Sequence, residues 1–106
     1  MTDAKTIKGY WIARVDIDNA DAYDRYRALN SKAFAKYGGR FVVRGPAGKA
    51  VKGTPRKHNV VVAFDSYAQA LACYESPEYQ AALVHLKDVG PVDLVIIEGY
   101  DGPQPE

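Results

Sequence analysis

The sequence predicts one α+β domain with its elements in the order β-α-β-β-α-β, and three features of the chain indicate it. At Gly38-Gly39 an amphipathic helix gives way at once to a strand, because glycine takes the left-handed conformation that ends a helix. Residues 60–64 are an apolar run of three valines, alanine and phenylalanine, typical of a strand covered on both faces. Ser76-Pro77-Glu78 supplies an N-cap, a proline at the first helical position and an acid at the positive end of a helix.

The first strand and the first helix follow from the pattern of apolar side chains. After a loose leader at residues 1–7, a strand is predicted over residues 8–17, where apolar side chains occur on both faces. Asp18 or Asn19 can cap the helix that follows. Apolar and aromatic positions then recur at helical spacing, which gives the helix an inward stripe of Tyr23, Tyr26, Asn30, Ala33 and Tyr37.

The second strand is predicted over residues 40–45. Simple alternation along a strand places Arg40 and Arg44 on one face and Phe41 and Val43 on the other. Two cations on one face either join an ion-pair network in the sheet or form an arginine fork for a carboxylate or similar anion. Both interpretations stay open from the sequence.

The middle of the chain is a basic loop followed by a buried strand and a helix start. Glycine, proline and lysine in residues 46–57 predict a loop, with a short hairpin around Val51 as an option. The third strand is predicted over residues 58–65. Ser66 and Gln69 then form a capping box, so the second helix begins directly after that strand.

The second helix is predicted to break at Ser76-Pro77 and to run to about Val89, before a fourth strand over residues 92–98. This succession is the ferredoxin-like plan, a four-stranded antiparallel sheet with both helices on one face. Residues 1–106 therefore make a single domain, with an ordered core over about residues 8–99.

Three of the four predicted strands are apolar on both faces, although the helices can cover only one. The open face needs a cover, and a second copy of the same sheet is the simplest one. We therefore predict a homodimer that packs sheet to sheet, as a dimeric α+β barrel.

The composition is that of an ordinary globular domain, with 47% hydrophobic and 25% charged residues. No apolar run approaches the roughly 20 residues of a membrane span, and the start of the chain lacks a signal-peptide pattern. Cys73 is the only cysteine, which excludes an internal disulfide and fits a reducing compartment. We expect a cytoplasmic location and no membrane partner.

Charge is distributed unevenly along the chain. Ten of the fourteen Lys and Arg residues fall between Arg25 and Phe64, where there is no Asp or Glu. This cation block either pairs with the acidic remainder of the chain or forms a basic rim that attracts an anionic ligand. The overall basicity and interleaved aromatics of nucleic-acid binders are not evident, so nucleic acid is the weakest of the three options.

The residue types give no reason to expect a metal or an organic cofactor. The two histidines, His58 and His85, and the single cysteine match no metal-ligand spacing. No glycine-rich phosphate loop precedes a helix. Cys73 lies in the apolar part of a predicted helix, as an inert buried thiol would.

Four side chains form the candidate ligand site: Arg14, Tyr26, Tyr37 and Arg44. The arginines could bind an anion, and the tyrosines could orient a small aromatic or polar molecule. The structural alternative places the arginines in ion pairs and the tyrosines in the core. His58 is a weak catalytic candidate, because it would be the proton carrier at neutral pH if it lay near Arg44 and Tyr37; otherwise it is a surface residue.

Four blocks of sequence carry a resemblance to a known family: residues 9–15 (GYWIARV), 34–45 (FAKYGGRFVVRG), 60–66 running on to 74–79 (VVVAFDS and YESPEY), and 93–99 (DLVIIEG). Over nearly its whole length the chain resembles the domain-of-unknown-function family 1330 of the dimeric α+β barrel superfamily. The resemblance implies a dimeric barrel of small subunits and no established activity. Superfamily relatives include cofactor-free oxygenases, isomerases and haem-degrading enzymes.

These observations favour a protein that binds a small, anionic or aromatic molecule in a pocket between the helices and the sheet. They leave open whether it acts as a cofactor-independent enzyme. The alternative is a non-catalytic dimerisation or regulatory module, in which the same residues only satisfy the fold.

Overall fold

A computed structural model describes residues 6–46 and 48–106 of the chain. Its elements are, in order, β1 Gly9–Val15, α1 Ala20–Tyr37, β2 Arg40–Pro46, β3 His58–Phe64, α2 Tyr67–Glu75, α3 Pro77–Leu86 and β4 Val92–Glu98. The predicted order is confirmed, with the second helix divided at Ser76. The leader predicted over residues 1–7 falls mainly on residues 1–5, which lie outside the described part.

The four strands form one antiparallel sheet in the order β2-β3-β1-β4. In the centre, Trp11 of β1 lies opposite Val62 of β3 on one side and Ile96 of β4 on the other. These side chains share one face of the sheet, and there they pack with Phe34 of α1 and Tyr79 of α3 in the core. The helices thus cover a single face, as the ferredoxin-like plan requires.

Local caps set the helix bounds close to where the sequence predicts them. Asn19 Oδ1 accepts a hydrogen bond from the first turn of α1 at 3.1 Å, and Gly38 ends that helix with a φ of 75°. Ser66 Oγ accepts the N–H of Gln69 at 3.0 Å, which is half of the predicted capping box. The Gln69 side chain instead donates to the carbonyl of Tyr37 at 2.9 Å, so the start of α2 is tied to the end of α1.

The end of α3 and the loop before β3 differ from the prediction, and β1 is shorter than the predicted residues 8–17. α3 ends at Leu86, three residues before Val89, and Val89 continues into the core as a fully buried side chain beyond the helix. No hairpin forms around Val51 in residues 48–57, which make a loop between β2 and β3. Arg56 at the end of that loop pairs with Asp16 at 3.0 Å, so part of the cation block is neutralised within the fold.

The predicted simple alternation of side chains between the two faces of β2 is wrong, because the strand contains a β-bulge. Phe41 pairs with Val62 and Val43 with the very next β3 residue, Val61, which leaves Val42 as the extra residue. One inserted residue shifts the following side chains to the other face. Arg44 therefore lies on the helix side with Phe41, and it is separated from Arg40.

The face of the sheet away from the helices is apolar and open. Four aliphatic side chains on it keep between 37% and 49% of their accessible surface: Ile12, Val43, Val95 and Ile97. Monomeric proteins rarely expose a contiguous apolar patch of this kind without a function for it.

In the described part of the chain, no helix is long and apolar enough to cross a bilayer.

Candidate functional site

A narrow cleft of about 50 Å³ opens between α1 and the helix-side face of the sheet. Its walls are mainly aromatic and aliphatic and include Trp11, Phe34, Phe41, Val60, Val62 and Leu94. None of the described residues that line it is an Asp or a Glu. A space this small holds a few water molecules, so a ring-sized ligand requires the exposed side chains at its mouth to move.

The inner end of the cleft is polar but uncharged. The hydroxyls of Tyr26 and Tyr79 are hydrogen-bonded at 2.7 Å, and the buried Asn30 lines the same cleft. Burial raises the pKa of Tyr26, an effect that the neighbouring Tyr79 hydroxyl and Asn30 amide partly offset. The phenol of Tyr26 stays protonated at neutral pH and can donate or accept a hydrogen bond.

The mouth of the cleft carries two guanidinium groups that rest on its aromatic walls. Arg27 lies 5.6 Å from the ring centroid of Tyr23, and Arg44 lies 4.4 Å from that of Phe41. Cation–π contacts of this kind hold a guanidinium at an aromatic side chain while leaving its N–H donors free. Within residues 6–46 and 48–106, neither group forms an ion pair with a carboxylate. The donors are available to an anion.

Tyr23 and His58 form a hydrogen-bonded pair at the side of the cleft. The Tyr23 hydroxyl lies 2.8 Å from His58 Nε2, and the two rings meet edge to face. Burial, with smaller contributions from the charges of Arg27 and Arg44, lowers the pKa of His58; burial raises the pKa of Tyr23. Both groups are therefore uncharged at neutral pH, and His58 reaches the cleft through Tyr23.

The structure brings two of the four predicted ligand residues together. Tyr26 and Arg44 both line the cleft. Arg14 lies on the opposite face of the sheet, where its Nη2 donates to the carbonyl of Thr54 at 2.7 Å. Tyr37 lies at the far end of α1, half-buried beside the start of α2, and does not line the cleft.

Sequence reasoning missed Tyr23, Arg27 and Asn30 as site residues. Tyr23 and Asn30 belong to the predicted inward stripe of α1, but a stripe alone does not tell a core position from a cleft wall. Arg27 follows Tyr23 by four residues, the spacing that brings side chains together on one helix face. That spacing is the signal that could have found it.

The remaining chemistry of the described residues is limited. Across residues 6–46 and 48–106, no three His, Cys, Asp or Glu side chains are grouped so as to hold a metal ion. Cys73 is fully buried, and burial raises the pKa of its thiol to about 12. The predicted burial of the Cys73 thiol is confirmed.

Comparison with known proteins gives a family and a fold. Residues 8–100 match the model described as Domain of unknown function (DUF1330). No curated protein matches the chain. A structure of a protein of unknown function from Rhodopseudomonas palustris is 18% identical, with a TM-score of 0.72, and the match covers 94% of this chain and 87% of that one.

Two further solved structures share the fold. A cofactor-independent oxygenase from Streptomyces nogalater, SnoaB, is 13% identical with a TM-score of 0.61, over 95% of this chain and all of that one (100%). A dimeric protein of unknown function and ferredoxin-like fold from Bacteroides fragilis is 14% identical with a TM-score of 0.57, over 87% of this chain and 96% of that one. At these identities the likeness concerns the fold alone.

Proposed function

The chain belongs to the DUF1330 family, and from that premise we propose that it binds a small, single-ring organic anion in the cleft between α1 and the sheet. The ring would lie between the apolar walls, and the anionic group would lie at Arg27 and Arg44. Whether a reaction follows binding is a separate question. The cofactor-independent oxygenase that shares the fold is a precedent for a reaction on such a scaffold without a resident cofactor.

One observation carries the proposal: two guanidinium groups in cation–π contact with the aromatic side chains of the wall face an apolar cleft that no described carboxylate lines. Arg56, in contrast, is neutralised within the fold by Asp16. Apolar walls with a few converging polar groups are the usual character of a ligand site. The cation block that the sequence reveals thus contributes two charges to this mouth.

Blocking the mouth of the cleft tests the proposal. Ser31 is exposed and lines the cleft, so Ser31→Trp should fill the entrance and weaken benzoate binding at least about tenfold, or 1.4 kcal/mol. Ala28→Trp is the matched control, because Ala28 is an exposed helix position outside the lining. Titration by NMR would measure both, with neutral benzamide as the second probe.

Two results would count against an anion site in this cleft. The first is equal binding of benzoate and benzamide to the unmodified protein. The second is an unchanged benzoate affinity in Ser31→Trp. If neither probe binds at all, the alternative of a dimerisation or regulatory module without ligand chemistry gains the weight instead.

We also propose that the open face of the sheet is covered by a second copy of the chain. The exposed aliphatic surface on this face supports it, and the dimeric ferredoxin-like protein from Bacteroides fragilis offers a precedent for the oligomeric state. Burying such a face would remove the remaining apolar surface from water, and each side chain would stabilise the dimer by up to about 0.5–1.5 kcal/mol, since 37–49% of its surface is still exposed.

A lysine on the open face should dissociate that dimer. Val95→Lys would place an unpaired charge inside the interface, at a cost of several kcal/mol, roughly what a buried and unpaired ion suffers. We expect light scattering to show a monomer where the unmodified chain is a dimer. Val84→Lys on α3 is the control, at an apolar position that is 59% exposed against 49% for Val95, and it should remain dimeric.

A further inference from the structure

We propose that Tyr23 and His58 form a proton relay that ionises a weakly acidic phenol or enol bound in the cleft. The relay rests on the proposed function, since it acts on a molecule held at the same site. It narrows the ligand class from organic anions in general to ring compounds whose acidic hydroxyl is ionised after they bind.

The geometry of the pair suits a relay. Tyr23 lines the cleft, and its hydroxyl lies 2.8 Å from His58 Nε2. In the neutral imidazole that carries its proton on Nδ1, Nε2 accepts the Tyr23 O–H. The oxygen of Tyr23 then keeps lone pairs with which it can accept a hydrogen bond from a ligand hydroxyl. His58 itself is outside the lining, so the tyrosine is the necessary intermediate.

Among the described charged groups that act on the pair, Asp24 alone is anionic. On α1, Arg27 acts on both members of the pair, and Asp24 acts on Tyr23. From β2, Arg44 acts on both as well. On the side of β1, where Val15 lies opposite His58, Asp16 is engaged by Arg56. A proton on His58 is therefore disfavoured while the cleft is empty.

The step balances without any electron transfer. The ligand O–H bond breaks and its proton goes to the Tyr23 oxygen, while the Tyr23 O–H bond breaks and its proton goes to His58 Nε2. The products are a ligand oxyanion, a Tyr23 phenol as before, and an imidazolium. The oxyanion then lies beside the arginines, where charge-assisted hydrogen bonds can stabilise it.

Binding of the anion and protonation of His58 should reinforce each other. In the empty cleft, burial and the two guanidinium groups lower the pKa of His58. An oxyanion at the arginines offsets their charge at the imidazole, which raises that pKa. Because such coupling is reciprocal, a protonated His58 must equally favour the oxyanion over the neutral ligand.

The probe for the test is 4-nitrophenol, whose phenol and phenolate forms absorb at different wavelengths. Titrated at a pH just below the pKa of the free probe, the unmodified protein should hold it mainly as phenolate. In His58→Gln, whose side-chain oxygen can still accept the Tyr23 O–H, the bound phenolate-to-phenol ratio should fall about tenfold, the equivalent of one pKa unit. In Tyr23→Phe, the bound phenolate-to-phenol ratio should fall by the same factor.

His85→Gln is the control, because His85 is the other histidine of the chain and lies on α3 outside the cleft lining. It should bind and ionise the probe as the unmodified protein does. With two histidines, NMR can also follow each imidazole separately. His58 should titrate below its ordinary value of 6.5 in the empty protein and at a higher pH in the complex.

The outcomes separate the relay from the binding proposal. If neither benzoate nor 4-nitrophenol binds to the unmodified protein, the site itself fails, and the relay fails with it. If benzoate binds but 4-nitrophenol does not, the relay is refuted while the anion site stands. If the probe binds but His58→Gln and Tyr23→Phe leave its ionisation unchanged, or if His58 remains neutral in the complex, the relay is refuted while the binding site stands. If His58→Gln does not fold, the Tyr23→Phe variant and the NMR titration of His58 still test the relay.

Discussion

Replacing Trp11 with alanine is expected to lower the free energy of unfolding by about 3–5 kcal/mol, the usual cost of truncating a large core aromatic. Trp11 is 2% exposed and stands at the centre of the aromatic core. Its ring meets Phe34 and Tyr79 edge to face, at centroid distances of 5.1 and 4.8 Å. Its indole N–H donates to the carbonyl of Ala70 at 2.9 Å. The variant would lose this packing and the bond to α2 together.

Urea unfolding followed by circular dichroism measures this change, because Trp11 is the only tryptophan and its fluorescence is lost with it. Protein concentration must be held constant, since an associating chain gains stability with concentration. Tyr100→Ala, at a position 70% exposed, is the aromatic surface control and should stay within about 0.5 kcal/mol. A loss below about 1 kcal/mol for Trp11→Ala would contradict the packing described here.

The same variant also bears on the cleft, because Trp11 forms part of its wall. Truncation would widen the cleft toward the core and leave a cavity of the shape of an indole ring. Free indole should therefore raise the melting temperature of Trp11→Ala more than that of the unmodified protein, by mass action on the folded state. An equal shift in both would mean that the core collapses into the vacated space.

The arrangement of the elements could be predicted because the signals for it are local. Gly38 ends α1, and Ser76-Pro77 divides the second helix, each through a preference of one or two residues that needs no distant partner. The predicted bounds of β4 agree with the structure, since Gly90-Pro91 interrupts the chain just before it. Cap and turn signals of this kind determine the bounds of helices and strands more strongly than the helix or strand propensities of individual residues do.

The bulge in β2 was beyond sequence reasoning. Phe41, Val42 and Val43 are all suited to a strand, so the pattern does not reveal which of them is the extra residue. The insertion is decided by pairing with β3. Its effect is large, because it moves Arg44 from the open face of the sheet to the cleft.

His58 was a candidate from the sequence, but its contact with Tyr23 could not be predicted, since the two residues are 35 positions apart and meet only through the tertiary fold. Tyr37 shows the reverse problem. Tyr37 shares the inward stripe of α1 with Tyr26. The start of α2 lies against the end of α1, where the Gln69 side chain donates to the Tyr37 carbonyl. The cleft opens farther toward the N-terminus of α1, so Tyr37 does not line it. Periodicity gives the buried face of a helix and says nothing of what covers each turn.

Arg44→Ala is expected to weaken benzoate binding by about 1.5–3 kcal/mol, roughly 10- to 150-fold, the range for a hydrogen bond to a charged group. Arg44 is exposed, and its described contact is the stack on Phe41, so its removal should leave the fold intact. Affinity for neutral benzamide should change little, because the walls that hold the ring are untouched. Parallel NMR titrations of both probes would measure the difference.

Arg40→Ala is the matched control for this prediction. Arg40 and Arg44 lie on the same strand and are both exposed, but the bulge at Val42 places Arg40 on the other face of the sheet. Only Arg44→Ala should therefore lower benzoate affinity. Equal losses in the two variants would show that the net charge of the cation block attracts the anion, and that the stacked guanidinium of Arg44 provides no specific site. Arg44→Lys distinguishes further, since a lysine keeps the charge but cannot offer the planar, two-pronged donor that a carboxylate prefers.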